Sequence, residues 1–188
     1  MNIDLHSQFF PVDALQNPGK YEDRAPKLVL ENGKLSVTSQ IGSRPGLSAG
    51  AYDPAARVKA LDQMNVDMQA ISPSPLLLFY WEEPAVAAHF SRKQNEAIQD
   101  VVNGHPDRFV GMASVPLQDP SRAAKVLEHA VRDLKFKGGY IGTNVNGNYY
   151  GTPDFDPFWA KAQELDVMVV MHPEDVAGAD KMNPYGLK

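Results

Sequence analysis

Three Asp-Pro pairs, Asp53-Pro54, Asp119-Pro120 and Asp156-Pro157, punctuate this chain. Each offers a capping carboxylate followed by proline at the first helical position. Three helices announced by the same device, with short apolar runs between them, constrain the fold more than any other feature. The runs cover residues 68–72, 109–115, 139–142 and 167–171, and another, residues 2–5, opens the chain. A longer helix over about 84–103 carries Val86, Phe90, Ile98 and Val101 on one face. Strands that alternate with helices imply right-handed crossovers and a parallel sheet. A closed (β/α)8 barrel of the TIM type takes roughly 250 residues. These 188 residues are therefore expected to form the N-terminal part of one α/β barrel domain, supplying about its first five strands. An open doubly wound sheet is the other arrangement, but the first strand lacks the glycine-rich turn that a nucleotide wants.

Residues 9–50 interrupt this alternation and are rich in Pro, Gly and Ser. Within them, residues 27–31 and 34–38 are short apolar runs joined by Asn32-Gly33, a strong type I′ hairpin signal. An inserted β-ribbon is expected there. In a five-stranded sheet, residues 2–5 and 167–171 would be unpaired edges, and an apolar edge invites association. Further strands or a second copy, as a homodimer or larger homo-oligomer, are expected to cover them.

The net charge of −5 and the lack of a basic run argue against a nucleic-acid or anionic-membrane partner. With no cysteine, disulfides and thiolate metal sites are excluded. No apolar run approaches the roughly 20 residues that span a bilayer, and Met1 leads directly into a strand, so the expected location is the cytoplasm.

Five histidines are present, and two of them stand apart. His6 and His172 each follow an apolar strand, and barrel active sites occupy the carboxyl ends of the strands. Imidazole is also the commonest metal ligand. His89, His105 and His129 fall in helices or a connecting loop and read as structural. Gln8, two residues beyond His6, points to the same side of an extended chain, and its amide oxygen is a weak zinc ligand. Asp4 either orients an imidazole or accepts a loop amide, and Asp175 lies just beyond His172. The connection 73–81 is strongly apolar and ends in Phe79-Tyr80-Trp81. It reads as a plug over the barrel mouth, or as the aromatic wall of a pocket for a planar substrate. His6 and His172 are expected to face each other across the mouth, with Tyr80 or Trp81 lining the same cavity. Asn144, in Gly142-Thr143-Asn144-Val145-Asn146-Gly147, offers an amide to the same face or forms a turn.

These residues together resemble the decarboxylase branch of the amidohydrolase superfamily, the aminocarboxymuconate-semialdehyde decarboxylase family. The resemblance rests on Ile3-Asp4-Leu5-His6-Ser7, Asp53-Pro54 with Arg57, Phe79-Tyr80-Trp81, Arg108-Phe109-Val110-Gly111, Ile141-Gly142-Thr143 with Val145-Asn146, and His172-Pro173 with Asp175. It implies one divalent metal, usually zinc, and non-oxidative loss of CO2 from an unsaturated or aromatic carboxylic acid. It makes His6 and His172 ligands, with Gln8 where the family has a second histidine. The family's acid/base histidine and final aspartate ligand have no counterpart in this sequence, so the metal site is expected to be weak or empty. The family's substrate-binding arginine aligns with Val37, which leaves Arg44 as a substitute carboxylate partner or an ordinary exposed loop arginine. Metal-dependent hydrolysis is the alternative activity, and an inactive, truncated relative is the second alternative.

Overall fold

The structure, a computed structural model, describes residues 1–173. Strand β1 (Ile3–Phe9) leads into a short helix α1 (Val12–Gln16) and a separate sheet of β2 (Lys27–Glu31), β3 (Lys34–Ser39) and β4 (Gly42–Leu47). Helix α2 (Pro54–Gln63), β5 (Met68–Pro73), α3 (Pro84–Gly104), β6 (Phe109–Ser114), α4 (Pro120–Arg132), β7 (Gly138–Gly142), α5 (Asp156–Glu164) and β8 (Met168–His172) follow. The large sheet runs β1-β5-β6-β7-β8, all parallel. This is the strand order of a half-barrel, as the alternation requires.

The hairpin forms as expected. Asn32 and Gly33 both have positive φ, at 51° and 71°, the condition for a type I′ turn. The insertion is not a two-stranded ribbon, however, because β4 pairs antiparallel with β3. Gly42, Pro45 and Gly46 disguise that strand, and proline is admissible there because β4 is an edge. Two of the Asp-Pro pairs also act as read. The Asp53 and Asp119 carboxylates accept the main-chain N–H of Ala56 and Arg122. Asp156 departs from the reading: it is already helical, and a 3-10 turn at Pro153–Phe155 runs straight into α5, with no side-chain cap.

Two apolar clusters hold the molecule together. One fills the space between the large sheet and its helices, around Ile71, Phe109, Leu127, Ile141 and Phe158. The other seats the ribbon against α1 and α3, around Leu15, Val37, Leu77, Phe79 and Phe90. Parallel sheets need such cover on the helical side. By contrast Ile3, Leu5, Met168 and Met171, on the two edge strands, are 46–54% exposed. No helix among the described residues is long and apolar enough to cross a membrane.

Candidate functional site

The site begins with an irregularity in β1. Asp4 pairs with Gln69 of β5, and Ser7 pairs with Ile71, with a register shift between them. Three steps along β1 therefore match two along β5, which is a bulge of one extra residue. A one-residue offset reverses which side each following side chain faces. Asp4 and Ser7 both turn toward α2, where they meet the Arg57 network, while His6 turns to the inner side. In an unbroken strand Asp4 and His6 would have shared a face.

The inner side gathers both strand-end histidines. The His6 and His172 rings lie 5.2 Å apart, centroid to centroid, edge to face. Tyr140 of β7, almost fully buried, stands 6.1 Å from His6 and 5.9 Å from His172. His172 Nδ1 lies 2.7 Å from the carbonyl oxygen of Pro173, so Nδ1 carries the proton. Its Nε2 then accepts from Gln8 Nε2 at 2.9 Å, and Gln8 Oε1 accepts from Ser74 Oγ at 3.3 Å. Burial lowers the His172 pKa, and the nearby basic groups His6 and Arg44 add to the effect, against the Pro173 hydrogen bond. Both causes favour the neutral ring that a ligand must be.

Asp4 does not touch an imidazole. Its Oδ1 accepts the main-chain N–H of His6 at 3.0 Å, and its Oδ2 accepts from Gln69 Nε2 at 2.7 Å. Asp175 lies outside the described residues. Among those described, no three His, Cys, Asp or Glu side chains gather closely enough to hold a metal. The third polar group beside the two imidazoles is the Gln8 amide.

A cavity of about 420 Å³ opens nearby, lined by Ile41, Pro75, Leu78, Tyr80, Trp81, Asn144 and Asn146. Tyr80, Trp81 and Asn144 are therefore together on one cavity. Phe79 is not with them: it stacks on Phe90 at 4.3 Å in the second cluster and is 1% exposed. Neither histidine lines this cavity, a departure from the expectation that they would share it with the aromatic loop. The Gln8 side chain spans the gap, reaching from His172 to Ser74, the neighbour of Pro75. The Tyr80 hydroxyl accepts the Gly142 N–H at 3.3 Å and bonds to Tyr150. Burial drives the Tyr150 pKa upward, and its hydroxyl donates to Gly142 O at 2.6 Å. Since Gly142 is the register partner of His172, this pair ties the aromatic loop to the strand that bears the histidine. The Asn144 amide oxygen accepts from Gly147 N at 2.9 Å, so Asn144 both shapes a turn and lines the cavity.

Arg44 is exposed and sits on β4 directly across from Val37, which is fully buried. It is a strand residue rather than a loop residue, and its charge is felt at His172. The other histidines have structural partners: His89 bonds Pro18 O, His129 bonds Asp133, and His105 packs edge-on against Phe109. The sequence reading missed two residues, Tyr140 and Gln69. Tyr140 is the one aromatic residue in the glycine-rich run 138–142, and that composition was a usable signal. Gln69, a long polar side chain within the run Met68-Gln69-Ala70-Ile71, was the other.

Parallel strands in half-barrel order with helices packed on one side define an α/β-barrel protein. The family model described as Amidohydrolase matches residues 3–183, and the chain belongs to that family. The chain is 31% identical over 141 residues to 2-amino-3-carboxymuconate-6-semialdehyde decarboxylase of Dictyostelium discoideum, covering 75% of this chain and 39% of that protein. It is 32% identical over 133 residues to gamma-resorcylate decarboxylase of Rhodococcus jostii, covering 66% and 40%. The 5-carboxyvanillate decarboxylase of Novosphingobium aromaticivorans, solved with manganese and 4-hydroxy-3-methoxy-5-nitrobenzoic acid, superimposes with a TM-score of 0.73. That match covers all of this chain and 55% of the other at 21% identity, a likeness of fold. The chain spans about two fifths of the length of the curated relatives it matches.

Proposed function

We propose that this chain carries part of the active site of a metal-dependent, non-oxidative decarboxylase acting on a small aromatic carboxylic acid. The observation that carries the reading is the convergence of His6 and His172. Two imidazoles sharing one tetrahedral ion have centroids about 5 Å apart, and the observed 5.2 Å fits that donor arrangement. Gln8 fits if its amide turns to present oxygen. The Ser74 hydroxyl can donate or accept, so it tolerates either orientation. The two imidazoles suit zinc and the amide oxygen suits manganese, and manganese is the ion bound to the carboxyvanillate enzyme.

A bound divalent ion supplies Lewis acidity to the substrate's oxygens. The chain's own groups do the rest. Tyr80 and Trp81 present aromatic faces to a planar acid and exclude water, and the Asn144 and Asn146 side chains line the polar side of the same cavity. Arg44 supplies a cation for the carboxylate before it leaves. Loss of CO2 requires a proton delivered to the ring carbon that held it, and the described residues contain no dedicated group for that step.

The test is CO2 release from γ-resorcylate and 5-carboxyvanillate by the manganese-loaded full-length protein, with ester and lactone hydrolysis followed in parallel. Release of CO2, lost in His172→Ala, is the expected result. Stoichiometric manganese with no CO2 released from either acid overturns the proposal, and ester hydrolysis in its place installs the hydrolase reading. One observation favours a second reading, a non-catalytic relative: Gln8 Nε2 covers the His172 nitrogen that a metal needs.

A further inference from the structure

The Arg57 guanidinium is largely buried between α2 and the large sheet, and each of its nitrogens is engaged. Nε donates to Gly50 O at 2.5 Å and Nη2 to Gln8 O at 2.7 Å. Nη1 donates to Ser7 Oγ at 2.5 Å and to Gln69 Oε1 at 2.9 Å. Gln69, itself 5% exposed, passes its amide hydrogen to Asp4 Oδ2, and Asp4 Oδ1 receives the His6 N–H. Burial lowers the Arg57 pKa while Asp4 opposes that shift, so an anion balances the buried cation. This chain of hydrogen bonds begins and ends on β1 and encloses the stretch where the register slips.

From this geometry we infer that Asp4, Gln69 and Arg57 form a positioning relay that fixes the β1 bulge and thereby aims His6 and Gln8 at His172. None of the three touches the inner site. They act through the main chain of residues 6–8, which they hold from behind. The relay has a direction: Asp4 accepts twice, Gln69 donates to it and accepts from Arg57, and Arg57 only donates. That polarity makes the inference testable by reversal. Asp4→Asn sets amide hydrogens against those of Gln69, or, if Gln69 turns over, sets Gln69 against Arg57. Gln69→Glu places two carboxylates against each other. In the double variant D4N/Q69E, the amide oxygen introduced at position 4 still accepts the His6 N–H. The amide nitrogen beside it now donates to the carboxylate introduced at position 69, whose other oxygen accepts from Arg57. Every partner is restored with the charge moved one residue along.

The experiment compares wild type, D4N, Q69E and D4N/Q69E by two measurements. The first is the proton–proton cross-relaxation between the His6 and His172 rings in metal-free protein. The second is the manganese dissociation constant, and this arm alone rests on the proposed function. Each single variant is expected to lose the ring–ring cross-peaks and to bind manganese about 10–100-fold more weakly, the usual effect of a lost outer partner. The double variant is expected to regain both. Cross-peaks retained in the single variants overturn the inference, and so does a folded double variant that lacks them. If a single variant does not fold, the double variant against wild type decides the matter. If wild type itself binds no manganese, the metal reading falls while the cross-peaks still judge the relay.

Discussion

The two histidines reach the same place from strands built in opposite ways. On the β8 side nothing is irregular: β7 and β8 pair residue for residue from Gly138 and Met168 to Gly142 and His172. His172 faces inward because strand parity puts it there. On the β1 side the ladder is broken, and a buried arginine, a glutamine and an aspartate hold the break in shape. A regular strand aims its side chains through main-chain pairing alone. A bulged strand must be held from outside the ladder, and here the polar layer under α2 holds it.

The largest expected effect comes from spoiling the regular side. A Cβ on Gly138 would meet the Met168 carbonyl oxygen at 1.9 Å, whereas one on Gly139 would meet Leu127 and Phe158 at 3.5 and 3.8 Å. Gly138→Ala should therefore cost about 3 kcal/mol or more, and Gly139→Ala less than about 1 kcal/mol, both measured by urea unfolding. Equal costs would mean that close pairing of β7 and β8 does not set the His172 wall. A middle-sized effect is expected from the bulged side: Gln8→His adds a third imidazole there and should raise zinc affinity at least about tenfold, read by calorimetric titration. Unchanged affinity would show that Gln8 and His172 do not converge on a shared ion. The smallest effects separate the helix caps. Asp53→Ala, which frees the first turn of the helix carrying Arg57, should cost about 1 kcal/mol. Asp156→Ala should stay within about 0.5 kcal/mol, because that carboxylate caps nothing.

The parts of this fold that follow from periodicity and from turn chemistry were legible. The half-barrel came from strands and helices in alternation, and the hairpin came from Asn32-Gly33. Strand β4 escaped because its glycines and its proline are depleted in strands generally, yet an edge admits them. Asp156 misled because a 3-10 turn joined the helix ahead of it, a tertiary choice with no local sign. At the site, both histidines could be placed by their position after strands. The bulge could not, since it contains no glycine and shows itself only in the partner strand's register. The reading treated residues 73–81 as one unit, either a plug or a pocket wall, whereas the structure divides them between two cores.

That division has a consequence for how the molecule comes apart. Along 78–81, Leu78 and Tyr80 belong to the barrel's apolar cluster, while Phe79 belongs to the ribbon's and Trp81 packs against it. Phe79 takes a φ of +57°, a conformation that a bulky residue adopts only under constraint from its surroundings. Neighbouring residues are thus stitched alternately into two cores, like a thread drawn through two cloths. The inserted segment is in this sense a second anchor for the wall of the cavity. Amide hydrogen exchange should find the ribbon and the loop opening as one event, so a substitution in the ribbon far from any ligand would be felt first by Tyr80 and Trp81.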